Sequence, residues 1–413
     1  MLNLGFTATN PCHLYALSQA VAGQEQEVTF YMGYPRWRLQ RPYPSHLRTH
    51  SFRTVVTYSL LRLPERLRPK QKTLFQWQDQ DFDRWVASHL EKHDFLHAMP
   101  GQALETFRRA RKEGIPTVLN HATGPSRRLV EIMETEYRRV GLNLTAATRY
   151  DDLYWAREQE EYDLADLHCA ASTVVRDQLL EQGIQREKIW VVPYGASPTI
   201  FYPQPNAANE RFSILFAGQV TLRKGINTLL QALSLCRDSD WTIDFYGFVS
   251  SDVKSDIAGY QGQIPLRFHG PVSQAELAGA MRRASVLVLP SLEEGFGLVV
   301  PQGLACGIPC IVSDRVGAKD LIQPGVNGSI FPVCDHVSLL AELRYWSVRK
   351  SVITGDYSWD EPARKLVRYS SAALRPENRR RLILDQKSYR RPASGNQDQL
   401  VNQLSTSSAH REL

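Results

Sequence analysis

The chain has 413 residues, 43% hydrophobic and 22% charged, which is ordinary globular usage and excludes wholesale disorder, collagen-like repeats and a single small core. No run of 18 apolar residues occurs, and Met1–Phe6 lacks the basic region and long apolar core of a secretory signal, so a soluble chain in a reducing cytoplasm is expected. The net charge of +6 is uneven: residues 36–72 carry ten basic residues against one acid, Glu65.

That basic stretch interleaves Arg36, Arg38, Arg41, Arg48, Arg53, Arg62, Arg66, Arg68, Lys70 and Lys72 with Phe52, Val55, Val56, Tyr58, Leu60 and Leu61. Basic and apolar residues mixed in this way suit an anionic membrane surface or an anionic acceptor, with nucleic acid or a merely solvated helix face as the alternatives. Between 100 and 200, short apolar runs alternate with longer amphipathic stretches, the pattern of βαβ units in a parallel sheet. Ile115–Leu119 reads as a buried strand, and Arg127–Arg139 as a helix stopped by Gly141. A second helix is expected over Ser172–Gln182, and a strand at Ile189–Pro193 closes the first domain. Residues 194–210, rich in Pro, Asn and Gly, read as a linker. Strands then restart at Phe212–Gly218, Thr242–Gly247, Ser285–Pro290 and Pro309–Ser313, giving a second α/β domain. The polar stretch from Arg375 onward reads as a disordered tail. The six cysteines (Cys12, Cys169, Cys236, Cys306, Cys310, Cys334) lack paired metal-ligand spacing and read as buried free thiols.

Three places carry chemistry. Pro290-Ser291-Leu292-Glu293-Glu294-Gly295-Phe296-Gly297-Leu298 puts a strand end, an acid and two glycines directly before a helical run. Glycines there let backbone approach a ligand closely, free amides at the helix start suit a diphosphate, and Glu294 can accept hydrogen bonds from sugar hydroxyls. A carboxylate beside a phosphate cradle points to a sugar nucleotide, although the loop also fits a plain strand-to-helix turn. Gly218-Gln219-Val220-Thr221-Leu222-Arg223-Lys224-Gly225 follows a strand, and Arg223 and Lys224 are suited to neutralising a leaving diphosphate, the task otherwise given to a metal ion. Asn120-His121 ends the strand at 115–119; a lone histidine is more often packed than catalytic, but this one is expected at the cleft.

These features, in this order over roughly residues 100–375, resemble glycosyltransferase family 4, within the glycosyl transferases group 1, whose members have the GT-B fold. The Pro-Ser-x-x-Glu-Gly-Phe-Gly-Leu segment is present at Pro290–Leu298, and its continuation is matched by Ala305, Gly307 and Pro309. Further agreement comes from Val191–Gly195 and from Asp320, Leu321 and Ile322 with Gly325, Asn327 and Gly328. The resemblance implies an α/β fold of two facing Rossmann-like domains with parallel sheets and an interdomain cleft. An acceptor-side domain would span 1–195, a linker 196–210 and a donor-nucleotide domain 211–355; a closing helix at 358–374 would pack back on the first domain, and the tail would be 375–413. It implies a retaining, metal-independent hexosyl transfer from a nucleoside-diphosphate sugar to a glycan or lipid-linked acceptor, in cell-surface polysaccharide or glycolipid synthesis, with no separate cofactor. Peripheral attachment at the inner membrane face is the matching localisation. His121 and Glu294 would be catalytic, while Gly218, Arg223, Lys224, Gly295, Phe296, Gly297, Leu298 and Gln302 would bind the donor.

Two departures stand out. Gln302 replaces the second Glu, eight positions after Glu294, that in the family holds the ribose; its carbonyl oxygen can do so only in part. The region from Val337 to Tyr357 is shorter than the family's helix pair. Both features also suit a catalytically weakened sugar-nucleotide-binding paralogue. A nicotinamide-dependent oxidoreductase is disfavoured, because no Gly-x-Gly-x-x-Gly opens a first βαβ unit with an acid about 20 residues on.

Overall fold

The computed structural model describes residues 1–39, 43, 46–142, 144, 150–204, 211–238, 240–349, 353–376 and 378. Seven strands form a first sheet: β1 (Asn3–Ala8), β2 (Glu27–Met32), β3 (His46–Thr49), β4 (Phe95–Ala98), β5 (Thr117–His121), β6 (Leu167–Ala170) and β7 (Ile189–Val191), in the order β3-β2-β1-β4-β5-β6-β7. Six form a second: β8 (Ser213–Ala217), β9 (Thr242–Tyr246), β10 (Leu266–Gly270), β11 (Val286–Leu289), β12 (Cys310–Ser313) and β13 (Gly328–Phe331), in the order β10-β9-β8-β11-β12-β13. Every described pairing is parallel. The protein is therefore two Rossmann-like α/β domains.

The strands form because they are covered on both faces. Val286–Leu289 is buried throughout, the continuous apolar run that a parallel sheet requires. Along β8, Ile214 and Phe216 enter one core while Leu215 and Ala217 enter the other, so the period-two alternation feeds two helix layers. Each sheet reverses its order once, between β1 and β4 and between β8 and β11, and the loops at such reversals form a crevice for ligands.

The chain crosses between domains at two adjacent places. Ala196 N–H donates to Tyr357 O at 2.7 Å, and Ala196 bridges to Ser358. Beyond the second crossing, the helix Asp360–Ala373 returns to the first domain and seats Ala363 and Leu366, both fully buried, in its core. Among the described residues, one helix, His336–Ser347, lies between β13 and that crossing. Residues 205–210 of the expected linker and 379–413 of the expected tail lie outside the described residues. Four cysteines are buried, but Cys12 is half-buried and Cys334 is exposed, held at a positive φ in the turn after β13.

Candidate functional site

Two loops meet at the reversal of the second sheet. After β8, Leu222–Lys224 make a single 3-10 turn and Gly225 sits at φ +72°; a Cβ there would lie 1.8 Å from Pro290 O, so only glycine lets this loop rest on the end of β11. Leu292 N–H then donates to Arg223 O at 2.9 Å, fastening the loops together.

This backbone arrangement sets the charges. Lys224 Nζ makes a short ion pair with the Glu294 carboxylate. Arg223 Nη1 donates to Glu293 O at 3.0 Å and Glu293 Oε2 at 3.3 Å, and lies 3.6 Å from Glu294 Oε2. The Glu293 side chain is only 3% exposed, and burial pushes its carboxyl above the usual carboxylate range against the pull of Arg223. Glu293 had no distinguishing mark in the sequence: which of two adjacent acids turns inward is decided by the loop.

The backbone of residues 294–298 is divided by polarity. The carbonyls of Glu294 and Phe296 accept from Gly317 N–H at 2.8 Å and Ala318 N–H at 2.7 Å, and the Gly295 carbonyl accepts from Ser172 Oγ at 2.6 Å. The amides of Gly295, Phe296, Gly297 and Leu298 donate to nothing among the described residues. Consecutive amides without acceptors form an anion-binding concavity, since a buried N–H left unmade is costly. The following helix, Val299–Ala305, is only two turns long, so the loop amides rather than a long helix dipole are the free donors here. Gln302 lies on that helix, half-buried.

His121 departs from expectation. It ends β5, but its ring is fully buried, with Nε2 3.0 Å from His168 Nδ1 and Tyr162 edge-on at 5.0 Å. Side chains at 119 and 121 share the sheet face that packs on the helices Asp152–Leu164 and Thr173–Glu181, which turns the imidazole away from the crevice. Burial, with His168 beside it, holds His121 well below its ordinary pKa and hence neutral. The backbone of the next residues faces the second domain instead: a Cβ on Gly295 would lie 2.1 Å from Ala122 O.

The facing side of the first domain adds Tyr194, whose ring lies 4.9 Å from Phe296 and 4.3 Å from His13. At the reversal of the first sheet, Thr9 N–H donates to Gln102 Oε1 at 2.7 Å, and a small pocket nearby is lined by Phe75, Gln76, Asp79, Gly101, Tyr154 and Arg157. In the basic segment, Trp37, Phe52 and Leu67 are 76%, 67% and 69% exposed alongside exposed Arg36, Arg38, Arg62, Arg66, Arg68 and Lys70. Arg48, Arg53 and Lys72 are paired with Glu91, Asp81 and Asp151, which trims the charge excess read from the sequence; Arg41 lies outside the described residues.

Residues 200–351 match the family model of glycosyl transferases group 1. The D-inositol 3-phosphate glycosyltransferase of Arthrobacter sp. (strain FB24) is 36% identical over 147 residues, 32% of this chain and 35% of the relative. The lipopolysaccharide 1,6-galactosyltransferase of Escherichia coli K12 is 27% identical over 188 residues, 42% of this chain and 50% of the relative. The chain thus spans about a third to a half of the length of these curated relatives. Among solved structures, sucrose-phosphate synthase from Thermosynechococcus elongatus superposes with TM-score 0.59 at 16% identity, over 98% of this chain and 100% of that one. The Anabaena HepE protein in complex with UDP and glucose gives 0.57 at 14%, again over 98% and 100%. The overall architecture is therefore that of GT-B glycosyltransferases, and residues 200–351, which contain both loops of the site, form a glycosyl transferases group 1 domain.

Proposed function

We propose that the protein transfers a hexosyl group from a nucleoside-diphosphate sugar to a glycan or lipid-linked acceptor, with retention and without a metal ion. The observation that carries the reading is the row of acceptor-free amides at Gly295–Leu298 beside Arg223, Lys224 and Glu294. Binding exchanges partners: the donor diphosphate takes Lys224 from Glu294, and the released carboxylate accepts hydrogen bonds from the sugar. Glu293, buried behind the loop, keeps hold of Arg223 and aims it at the same phosphates. Cations fixed in this way stabilise the charge that develops as the nucleoside diphosphate departs, a contribution of several kcal/mol in a closed site. The acceptor is assigned to the first-domain pocket beside Gly101 and Tyr154, whose aromatic, amide and carboxylate lining suits a saccharide. His121, neutral and buried behind the 122–124 backbone, reaches the donor only if that backbone moves.

The exposed aromatic and basic residues of 36–70 are assigned to an anionic membrane surface, where rings enter the headgroup layer and guanidinium groups meet lipid phosphates. Synthesis of a cell-surface polysaccharide or glycolipid fits such a location, and relatives named for amylovoran biosynthesis in Erwinia amylovora and for lipopolysaccharide agree with it. Gln302 supports a second reading, a sugar-nucleotide-binding paralogue of weak activity.

Thermal unfolding against a panel of sugar nucleotides tests both readings, because a ligand at 100 times its Kd stabilises by about 2.7 kcal/mol. One donor should raise the midpoint and be slowly hydrolysed, and Lys224→Ala should lose both effects. A shift without turnover would favour the paralogue, and a full panel without any shift would overturn the donor reading.

A further inference from the structure

The first turn of the helix Thr173–Glu181, in the first domain, touches the second domain at two points. Ser172 Oγ accepts from Val175 N–H at 3.2 Å, closing the start of its own helix, and donates to Gly295 O at 2.6 Å. Thr173 donates to the Asp320 carboxylate through its N–H at 2.7 Å and its hydroxyl at 2.5 Å. Ser172 is fully buried, and a Cβ on Gly317 would fall 2.4 Å from its Oγ, so the hydroxyl is wedged between two glycines of the second domain.

We infer that Ser172 is a positioning residue, through which closure of the two domains orients the diphosphate-binding backbone. In a trans peptide the carbonyl and the following N–H point in opposite directions. Fixing the Gly295 carbonyl toward the first domain therefore turns the Phe296 N–H away from it, into the acceptor-free row of the loop. The two neighbouring carbonyls, of Glu294 and Phe296, are held by Gly317 and Ala318 of the second domain itself. The peptide between Gly295 and Phe296 is thus held from the other domain, and it follows a glycine, whose backbone freedom lets an untethered peptide rotate. The Thr173–Asp320 contact holds the helix end in place for this bond. By reciprocity, a ligand that needs the Phe296 amide draws the domains together. The inference rests on the reading that the loop binds the donor diphosphate.

Titration of UDP, GDP, ADP and inorganic pyrophosphate into purified full-length protein tests it. Ser172→Gly is the informative variant: glycine is well tolerated at a helix start, so the hydroxyl is lost while the helix is kept. The expected result is roughly tenfold weaker binding, together with a lower ligand-free melting midpoint because the buried Gly295 carbonyl loses its partner. Ser172→Thr should restore binding, and Thr173→Val, which removes one bond to Asp320 at the surface, should weaken it by a smaller factor. Wild-type affinity in both Ser172→Gly and Thr173→Val would overturn the inference while leaving the donor site standing, provided Lys224→Ala still loses binding. If no probe binds the wild type, or Lys224→Ala binds equally well, the donor reading and this inference fall together.

Discussion

Around the first sheet, Asp83, Glu161, His97, His121 and His168 are all at most 1% exposed, whereas around the second Glu293 is, cysteines aside, the one ionisable side chain among the described buried residues. The second domain closes over hydrocarbon, with Phe216, Phe245, Val288 and Leu343 among its fully buried side chains, and places its charges in loops above the sheet. The first domain threads polar contacts through its interior. Asp83 accepts from Glu105 N–H at 2.8 Å and Thr106 N–H at 2.9 Å and pairs with Arg157, which also reaches Glu161. The interior of the second half is therefore mainly hydrocarbon, while that of the first also depends on buried charged groups whose partners must be present.

The comparison breaks most easily at Asp83. Asp83→Ala leaves Arg157 facing the buried Glu161 with one partner lost and two helix-start amides unsatisfied, at a cost of about 3–5 kcal/mol. Urea unfolding should show the loss in the first domain, while a nucleotide that binds the second domain should still bind; an unchanged midpoint would remove the case for a polar interior.

Acid should separate the halves next. Burial holds His93 and His97 down to about 4, His168 to about 3 and His121 lower than its ordinary value. Above pH 6.5 these rings are neutral folded or unfolded. Below it the unfolded chain takes up protons that the folded chain refuses, so stability falls by about 1.4 kcal/mol per pH unit for each histidine until the folded value is reached. Burial also pushes Glu161 up to about 8 against the pull of Arg157; it keeps its proton between pH 4.5 and 8 and adds stability as pH falls, but one carboxyl is outnumbered by four rings. His168→Asn should make the acid limb shallower, which unfolding midpoints between pH 6.5 and 4.5 would measure. A limb of unchanged slope would move the acid sensitivity elsewhere.

The smallest expected effect lies in the second domain. Gln302→Glu should lower the donor KM about fivefold, on the order of 1 kcal/mol for one hydrogen bond made to a charge. An unchanged or higher KM would show that the ribose is held by other groups.

The same contrast decided what could be read in advance. Four of the six second-domain strands lie within a residue or so of the expected ends, helped by unbroken apolar runs such as Val286–Leu289, bounded by Pro290; β10 and β13, which mix Arg, His, Gly and Ser into their positions, have no counterpart among the expected strands. Arg223, Lys224 and Glu294 were legible as a cluster for a related reason: each follows such a strand. In the first hundred residues β1 to β4 went unread. Asn3–Ala8 and Phe95–Ala98 mix Gly, Thr and His into their buried positions, and no periodicity survives that. His121 was visible as a residue but not as a direction, since a one-residue difference in register decides which face it occupies. Ser172 looked like an ordinary helix start; its second bond, to Gly295, spans 123 positions and has no local signature.

The return of Asp360–Ala373 to the first domain bears on how the chain is made. Synthesis proceeds from the amino terminus, and domains generally fold as they emerge. Here the domain that begins first is finished last, because Ala363 and Leu366 fill its core only after the whole second domain has been translated. A chain ending near residue 350 would carry a completed second domain behind a first domain with an open apolar seam along the helix His13–Ala22. Nascent-chain proteolysis should therefore find the later-encoded half protected before the earlier one.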